Sequence, residues 1–259
     1  MLSIKEIENH YPDNLKPFKR FILREYLQYK ILEIIFDSPF ANKLCFLGGT
    51  CLRIVHNQQR FSEDLDFDNF NLTENEFLEI ASYIEKQLKK EGYEVELKNV
   101  LRGAFHCYIK FPNILFNEKL TGHVEEKILI QLDTEPQNFE FEPETVILNK
   151  FDVFTSVFTT PTDILLAQKC YAVINRKRNK GRDFYDIVFL LGKSVLPNYE
   201  YLNLKLGINN SSKLKEAILE ACSKINMQEM ANDVAPFLFY PKDAKKVLLF
   251  EDYFKQVDL

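Results

Sequence analysis

Two adjacent glycines, Gly48 and Gly49, constrain the fold of this chain more than any other feature of its sequence. They follow a short apolar segment, residues 44–47, and precede a segment whose apolar residues have helical spacing. Glycine is scarce, at 8 of 259 residues, so this pair is not a product of a glycine-rich composition. The pattern predicts a strand, a tight turn and a helix in direct succession, because glycine adopts turn conformations that other residues avoid.

The composition is that of a folded globular protein, because 46% of the residues are hydrophobic and 27% are charged. These values exclude a disordered or fibrous chain. No segment approaches the roughly 18 to 20 apolar residues that cross a bilayer, and the first residues lack the apolar core of a signal peptide. We therefore expect a cytoplasmic protein without a membrane partner. The five cysteines are scattered and form no CxxC pair, which predicts reduced, buried thiols rather than disulfides or a zinc site.

Periodicity predicts the order of the structural elements. Residues 15–37 and 74–90 have helical spacing, and Thr73 and Glu76 form a capping box at the start of the second helix. Further strands are predicted over three short alternating or apolar runs, residues 93–97, 105–111 and 125–133. From Thr160 onwards the pattern becomes mainly helical. We therefore expect two lobes that divide near residue 155.

Carboxylates on two predicted strands indicate phosphoryl chemistry. Asp64 and Asp66 are two residues apart in a strand, so their side chains project to the same face. Asp133 lies on the polar side of another strand, and we expect it beside Asp64. Mg²⁺ binds few carboxylates and completes its shell with water and substrate phosphates, while a glycine turn lets backbone N–H groups approach a phosphate. An exposed acidic strand face and a purely structural turn remain the alternatives.

The charge is acidic overall, with a net value of -5, which excludes a protein coated with basic surface. One local exception contains five basic residues within seven positions: Arg176, Lys177, Arg178, Lys180 and Arg182. This segment is either an anion or RNA site or a solvated helix end. Helical spacing places Lys169 on the face of Arg176, and Asp183 on the face of Asp186. We expect these four residues to border one cleft. The four histidines have no metal-ligand spacing, and we expect structural roles for them, His106 included.

Three sequence blocks together resemble a known family. They are LGGTCLRIVHNQQRFSEDLDFD, IQLD and LLAQKCYAVINRKRNKGRDFYD, and they span residues 46–190. They are similar to the signature blocks of the AbiEii/AbiGii toxin family of nucleotidyltransferases, a branch of the DNA polymerase β-like superfamily. The resemblance implies an α+β fold. A polymerase-β-like nucleotidyltransferase lobe, residues 1–155, would contain a mixed sheet flanked by helices, and a mainly helical C-terminal lobe, residues 156–259, would follow it.

The resemblance also implies an activity and its partners. The enzyme would use Mg²⁺ and a nucleoside triphosphate, and would transfer the nucleoside monophosphate to an acceptor hydroxyl with release of pyrophosphate. The expected acceptor is RNA, in particular tRNA. The biological setting would be a toxin–antitoxin or phage-defence system, with a possible cognate antitoxin as partner.

Roles are carried over from the family by position. The predicted catalytic residues are Asp64, Asp66, Asp133, Lys169 and Asp183, of which the first three would bind the metal. The predicted nucleotide-binding residues are Gly48, Gly49, Thr50, Arg53, Ser62 and Lys169. Arg53 and Lys169 would neutralise charge on the phosphates, and Ser62 would contact phosphate or be modified itself. The predicted RNA-binding residues are Arg176, Lys177, Arg178, Lys180 and Arg182.

Two other functions share these features. A catalytically silent interaction protein would keep the fold and the acidic strand for structural reasons. A nucleotidyltransferase acting on a small molecule, such as an antibiotic-modifying enzyme, would share the first lobe. Transfer of a labelled nucleotide distinguishes an enzyme from a catalytically silent protein. Charge reversal in the basic segment distinguishes the acceptors, because it should impair transfer to tRNA but not transfer to a small molecule.

Overall fold

A computed structural model describes residues 1–259, which fall into two compact units. The first unit contains Met1–Asn57 and Phe61–Thr159, and the second contains Gln58–Arg60 and Thr160–Leu259. The second unit is therefore built from two stretches of sequence. The units divide at Thr159 and Thr160 and at the short segment Gln58–Arg60, whereas the sequence places a single division near residue 155.

The first unit contains a mixed sheet of seven strands, in the order β3-β4-β5-β2-β1-β7-β6. The strands are β1 (Leu44–Leu47), β2 (Leu65–Asn69), β3 (Glu96–Arg102), β4 (Ala104–Phe111), β5 (Ile128–Thr134), β6 (Glu144–Lys150) and β7 (Val153–Thr159). β2 pairs parallel with β5 and antiparallel with β1, and β1 pairs parallel with β7. The predicted mixed sheet flanked by helices is confirmed.

Five helices accompany the sheet of the first unit. They are α1 (Ile4–Glu8), α2 (Lys19–Phe36), α3 (Gly48–Ile54), α4 (Glu74–Lys90) and α5 (Ile114–Asn117). The apolar side of α2 is buried and packs against β7. α4 begins at the predicted capping box, in which the side chains of Thr73 and Glu76 each accept a hydrogen bond from the other residue's backbone. A local sequence signal thus sets the start of α4.

The sheet is larger than the sequence predicts. β3 covers Glu96–Arg102 and not residues 93–97. The sequence prediction stops at residue 97 because the polar residues Lys98 and Asn99 that follow look like a turn. The sequence predicts no strand where the hairpin of β6 and β7 lies. In β7, buried residues alternate with exposed or half-buried ones, whereas Leu148 is the single buried residue of β6, and the segment 136–143 that precedes the hairpin resembles a linker in the sequence. β7 includes residue 155, so the predicted lobe boundary falls inside a strand.

The second unit is helical from Thr160 onwards. Its helices are α6 (Thr162–Asn175), α7 (Gly181–Leu191), α8 (Tyr199–Leu206), α9 (Ser211–Cys222), α10 (Met227–Val234), α11 (Lys245–Leu248) and α12 (Phe250–Gln256). The sequence Thr160-Pro161 predicts that Thr160 caps α6 and that Pro161 is the first residue of the helix, and this prediction is wrong. Pro161 occupies the cap position in an extended conformation, with φ −52° and ψ 146°, so the helix begins one residue later and no side chain caps it.

All five cysteines are buried and unbridged, as predicted. No helix combines the length and the apolar character needed to span a bilayer.

Candidate active site

A row of residues crosses neighbouring strands of the first unit. In the register of the sheet, His106 of β4 pairs with Asp133 of β5. Asp133 also pairs with Asp66 of β2, which pairs in turn with Leu47 of β1. Cross-strand partners point to the same face of a sheet. The row therefore puts two carboxylates side by side, directly next to the glycine pair that follows Leu47.

Gly48 lies against the carboxylate of Asp66. Its φ is +79°, in the left-handed region that disfavours side chains, and a Cβ atom placed on it would lie 2.3 Å from Asp66 Oδ2. Glycine is therefore required here for two reasons: the backbone has a positive φ, and there is no room for a side chain. The turn brings main-chain atoms next to the acidic strand. A phosphate bound there could contact the backbone of the turn and a cation held by the carboxylate at the same time.

Gly48→Ala should disturb the close approach to Asp66 as well as strain the backbone. We expect about 1–2 kcal/mol of lost stability from the positive φ. We also expect at least a loss of about tenfold in the nucleotidyl transfer that the family resemblance implies, because the new methyl group displaces the Asp66 carboxylate. Gly103→Ala is the matched control, since Gly103 has φ +76° but open space around it. Equal loss of transfer in both variants would show that the close approach is irrelevant. Thermal unfolding and nucleotide transfer are the measurements.

Thr50 and Asp64 are connected through the backbone. The Thr50 hydroxyl donates to the main-chain carbonyl of Asp64, and the Thr50 side chain is fully buried. This bond fixes α3 to the start of β2. Asp64 itself is half-buried and precedes the strand. The prediction that Asp133 lies beside Asp64 needs correction, because the register pairs Asp133 with Asp66, two residues further along.

Asp133 is held by two neighbours on its own face of the sheet. Nδ1 of His106 lies 2.6 Å from Asp133 Oδ1, and Nε2 of Gln131 donates to both carboxylate oxygens, at 2.8 and 3.0 Å. These contacts fix the side-chain orientation of Asp133. Sequence reasoning missed His106, and only the β4–β5 register, which a single sequence does not display, would have indicated it.

The donor set suits a hard cation bound together with a substrate. Asp66 and Asp133 provide carboxylate oxygens from adjacent strands, and the backbone of Gly48 closes on one of them. Mg²⁺ is usually bound through one or two carboxylates, water and substrate phosphates rather than by an all-protein cage. No group of three or more His, Cys, Asp or Glu side chains is arranged as a complete metal site. The predicted three-carboxylate cluster is thus not preassembled.

Arg53, predicted to bind nucleotide, has buried partners in the first unit. Its Nε and Nη2 donate to the carboxylate of Glu25 at 2.7 and 3.1 Å, and Nζ of Lys150 lies 2.8 Å from the same carboxylate. Burial raises the pKa of Glu25, but the charges of Arg53 and Lys150 outweigh burial and hold that pKa below its ordinary value. This ion cluster holds the Arg53 guanidinium in place, and contact of Arg53 with a nucleotide stays a prediction.

Ser62 lies on the segment that leads into β2. Its backbone carbonyl, like that of Glu63, accepts a hydrogen bond from Nε2 of Gln28, at 3.1 and 2.9 Å respectively. The residue is half-buried. Gln28 therefore fixes the approach of this segment to the acidic strand, and contact of the Ser62 side chain with phosphate stays a prediction.

The second unit contains a network of charges around two buried carboxylates, Asp183 and Asp186. Nζ of Lys169 lies 2.9 Å from Asp183 Oδ1 and 2.8 Å from Asp186 Oδ2, and Nη1 of Arg176 donates to Asp183 Oδ2 at 2.6 Å. The structure thus brings together the four residues that helical spacing placed on shared faces. Burial alone would lower the pKa of Lys169, but the two carboxylates outweigh it and raise that pKa.

Asp186 is the centre of this network. Nε and Nη2 of Arg60 donate to its two oxygens, each at 2.7 Å, and Nε2 of Gln58 donates to Oδ1 at 2.7 Å. Alternation of the sequence over residues 60–68 predicts that Arg60 shares the acidic face of the following strand with Asp64 and Asp66, and this prediction is wrong. The residue precedes β2, belongs to the second unit and forms an isolated bridge with Leu238. Its fork-shaped bond to a fully buried carboxylate explains why it leaves the strand pattern.

This network makes the second unit sensitive to acid. Burial raises the pKa of Asp186, but Arg60 and Lys169 outweigh it and lower the pKa from 3.8 to about 2. The contribution is complete above about pH 4 and is lost as the pH falls through 2, with a magnitude of about 2 kcal/mol. Urea unfolding between pH 5 and pH 2 should therefore show a decline that is reduced in Asp186→Asn. An unchanged decline in that variant would contradict the assignment.

The basic segment connects α6 and α7. Lys177 and Arg178 are exposed, whereas Lys180 is half-buried. Arg182 lies in α7 with its guanidinium 4.8 Å from the ring centroid of Phe237, and Arg176 is bonded to Asp183. Lys177 and Arg178 are therefore the members that a phosphate backbone could reach without breaking a described contact.

Comparisons with known proteins bear on the first and second units together. A family model described as nucleotidyl transferase AbiEii toxin, type IV toxin–antitoxin system, matches residues 30–239. The chain resembles the crystal structure of JHP933 from Helicobacter pylori, with a TM-score of 0.54, 16% identity, and coverage of 91% of this chain and 94% of that one. It also resembles a candidate nucleotidyltransferase from H. pylori, with a TM-score of 0.53, 16% identity, and coverage of 92% and 97%. At these identities the two structures support the fold. A search of curated proteins found no match.

Proposed function

The chain belongs to the AbiEii family of nucleotidyl transferase toxins, and from this premise we propose that it transfers a nucleoside monophosphate from a nucleoside triphosphate to a hydroxyl of RNA in a Mg²⁺-dependent reaction. The nucleotidyltransferase activity and the type IV toxin–antitoxin setting follow from the family. The metal, the RNA acceptor, a role in phage defence and the site residues are the parts that we propose. A cognate antitoxin is the partner that such a setting implies.

One observation carries the proposed site. Asp66 and Asp133 occupy paired positions on adjacent parallel strands, and Gly48 is packed against the Asp66 carboxylate. Two carboxylates and a glycine turn at one end of a sheet are the components that a triphosphate and its cation require. Asp64, on the segment that enters the same strand, is the third proposed ligand, and Gly49 and Thr50 complete the turn.

The proposed reaction is an in-line displacement at the α-phosphorus. A bond forms between the acceptor oxygen and the α-phosphorus, and the bond from that phosphorus to the oxygen bridging to the β-phosphate breaks, so pyrophosphate leaves. Asp133 accepts the hydroxyl proton, with its orientation fixed by His106 and Gln131. The Gly48 and Gly49 backbone positions the phosphates. Most of the catalytic effect would come from positioning and charge stabilisation.

Asp64, Asp66 and Asp133 would hold the metal. When bound, Mg²⁺ would neutralise charge on the phosphates and favour ionisation of the attacking hydroxyl. The protein's part is to present carboxylates at one end of the sheet and to keep a close main-chain approach beside them.

Lys169 and Asp183 stabilise the second unit, and this structural role must be separated from a role in catalysis. Their mutual ion pair lies inside the second unit, with side chains 14% and 6% exposed, which supports folding of that unit. We propose a catalytic contribution as the family resemblance implies. Lys169→Met should then reduce nucleotidyl transfer even where the variant is fully folded. The measurement is the transfer rate at temperatures well below the unfolding midpoint of the variant.

The test of the proposed function is incubation of the purified chain with total tRNA and each labelled nucleoside triphosphate in turn. Incorporation into RNA that requires Mg²⁺ and releases pyrophosphate supports the proposal. Incorporation into the protein itself would point to modification of Ser62 or another side chain, which mass spectrometry would locate. A chain that incorporates no nucleotide into RNA under any of these conditions would overturn the RNA acceptor.

The exposed basic residues should contribute to RNA affinity. Reversing Lys177 and Arg178 to Glu should weaken tRNA modification by at least about tenfold at moderate salt and reduce the salt dependence by about one unit of slope for each lost phosphate contact. Arg176 is left intact because it bonds Asp183. The control is the same change in charge at Lys86 and Lys90 on α4, both exposed. Equal effects of the two double variants would argue for overall charge, and no effect would favour a small-molecule acceptor.

A further inference from the structure

The two edges of the seven-stranded sheet differ in how they are protected. β3, at one edge, carries Glu96, Lys98 and Arg102, and charged residues on an edge strand discourage pairing with other chains. β6, at the other edge, carries the uncharged run Thr-Val-Ile-Leu over residues 145–148. No further strand pairs with β6 on its outer side. Its unpaired backbone groups are therefore available to an added strand.

An uncovered apolar face accompanies this edge. Cross-strand pairing sets Ile147 opposite Ser156 and Asn149 opposite Phe154, so the side chains of these pairs point to one face of the hairpin. Phe154 is 69% exposed and Ile147 is 63% exposed, the highest values among the large hydrophobic residues of the chain. Two such residues on the same face of an unpaired edge distinguish this surface from scattered exposed side chains.

A groove continues the same face. Thr145 and Phe158 form the next cross-strand pair, and both line a cavity of about 590 Å³. Its other walls include the rings of Phe70, Phe139 and Phe141. Phe141 lies edge-on to Phe70, with centroids 6.0 Å apart, and stacks with Phe139 at 6.4 Å. The cavity is large enough for bulky side chains of a bound segment.

The rim of the groove is acidic. Glu140 and Glu142 line the cavity, and the segment 135–144 contains four glutamates but no lysine or arginine. A partner with basic residues would complement this charge. Two copies of the chain that met symmetrically through this surface would instead bring their glutamates together, so charge favours a different protein over a second copy.

We propose that β6, the exposed pair Ile147 and Phe154 and the aromatic groove form a docking surface for an extended segment of a partner protein whose apolar and basic side chains alternate. The segment adds to β6 by main-chain hydrogen bonds, and one of its apolar side chains enters the groove. Its basic side chains face the glutamates of the rim. Nucleotidyl transfer plays no part in this binding, so the two proposals stand or fall separately.

The probe is a fluorescein-labelled ten-residue peptide that alternates valine or phenylalanine with lysine. Fluorescence anisotropy should show saturable binding that weakens at least about tenfold between 50 and 300 mM salt, because exposed charges are screened. The same peptide with glutamate in place of lysine, or with proline at its centre, should not bind, since the first repels the rim and the second loses a backbone donor. Failure of the lysine peptide to bind at 1 mM would overturn the proposal.

Protein variants identify the surface. Ile147→Ser with Phe154→Ser, and separately Glu140→Lys with Glu142→Lys, should each weaken peptide binding by at least about tenfold. The controls are Phe116→Ser, at an exposed apolar residue elsewhere in the first unit, and Glu79→Lys with Glu125→Lys. Circular dichroism confirms folding of each variant. Binding that the surface variants leave unchanged contradicts the proposal, as does a dimer in sedimentation that the Ile147 and Phe154 variant dissociates, because a second copy would then be the occupant.

Discussion

Asp66→Asn should reduce nucleotidyl transfer by on the order of a thousandfold while the protein still folds. The substitution keeps the size of the side chain but removes the negative charge beside Gly48 and Asp133. Without that charge, the cation and the triphosphate lose a ligand at the point where charge develops during transfer. Asp64→Asn should have a similar effect if Asp64 is the third ligand. Initial rates with labelled nucleoside triphosphate and tRNA measure both.

Asp68→Asn is the matched control for this experiment. Asp68 lies two residues further along β2, but it is buried and accepts a hydrogen bond from the backbone N–H of Gln137 at 2.8 Å. Asparagine keeps an acceptor oxygen, so we expect transfer within about threefold of the unaltered chain. Thermal unfolding confirms that the variants are folded. Normal transfer by Asp66→Asn would eliminate the proposed site, and equal loss in Asp68→Asn would assign the effect to the strand rather than to the charge.

Asp186→Ala should cost the second unit about 3–5 kcal/mol of folding free energy. Asp186 is fully buried and accepts hydrogen bonds from Arg60 and Gln58, and it also pairs with Lys169. Its removal takes from the buried Arg60 guanidinium the carboxylate to which it is hydrogen-bonded, and it leaves Lys169 with one carboxylate, Asp183, instead of two. This penalty is larger than the stabilisation that the intact ion pair provides. Because the chain has no tryptophan, urea unfolding is best followed by far-ultraviolet circular dichroism.

Glu220→Ala provides the comparison for an exposed ion pair. Glu220 and Lys224 are 68% and 69% exposed, and pairs of this kind contribute at most about 1 kcal/mol. A clear difference between the two variants would show that burial gives the network its importance. If Asp186→Ala were no less stable than Glu220→Ala, the charge network would not contribute to folding as we infer.

The parts of the fold that could be predicted are those encoded by neighbouring residues. The strand, turn and helix around Gly48 follow from a glycine pair between an apolar run and a helical pattern, and the start of α4 follows from Thr73 and Glu76. The outward position of Asp133 on its strand also follows from alternation. Each of these signals depends on residues a few positions apart, so a single sequence contains the information.

The parts that could not be predicted depend on pairing between distant segments. The register that sets Asp133 beside Asp66 and opposite His106 is fixed by the assembled sheet. The contact of Arg60 with Asp186 joins residues 126 positions apart. Alternation alone assigns Arg60 to the following strand. Periodicity indicates the face on which a side chain lies, but it does not indicate which distant residue that side chain contacts.

The segment Gln58–Arg60 has a consequence for synthesis and for recombination of this chain. The ribosome releases it early, but its carboxylate partner is synthesised only with α7, 126 positions later, so the guanidinium must wait for Asp186 while that part of the chain is made. A chimera that exchanged everything after Thr159 with a relative would inherit Asp186 from one parent and Arg60 from the other. Crossovers between relatives should therefore carry this tripeptide along with the C-terminal half.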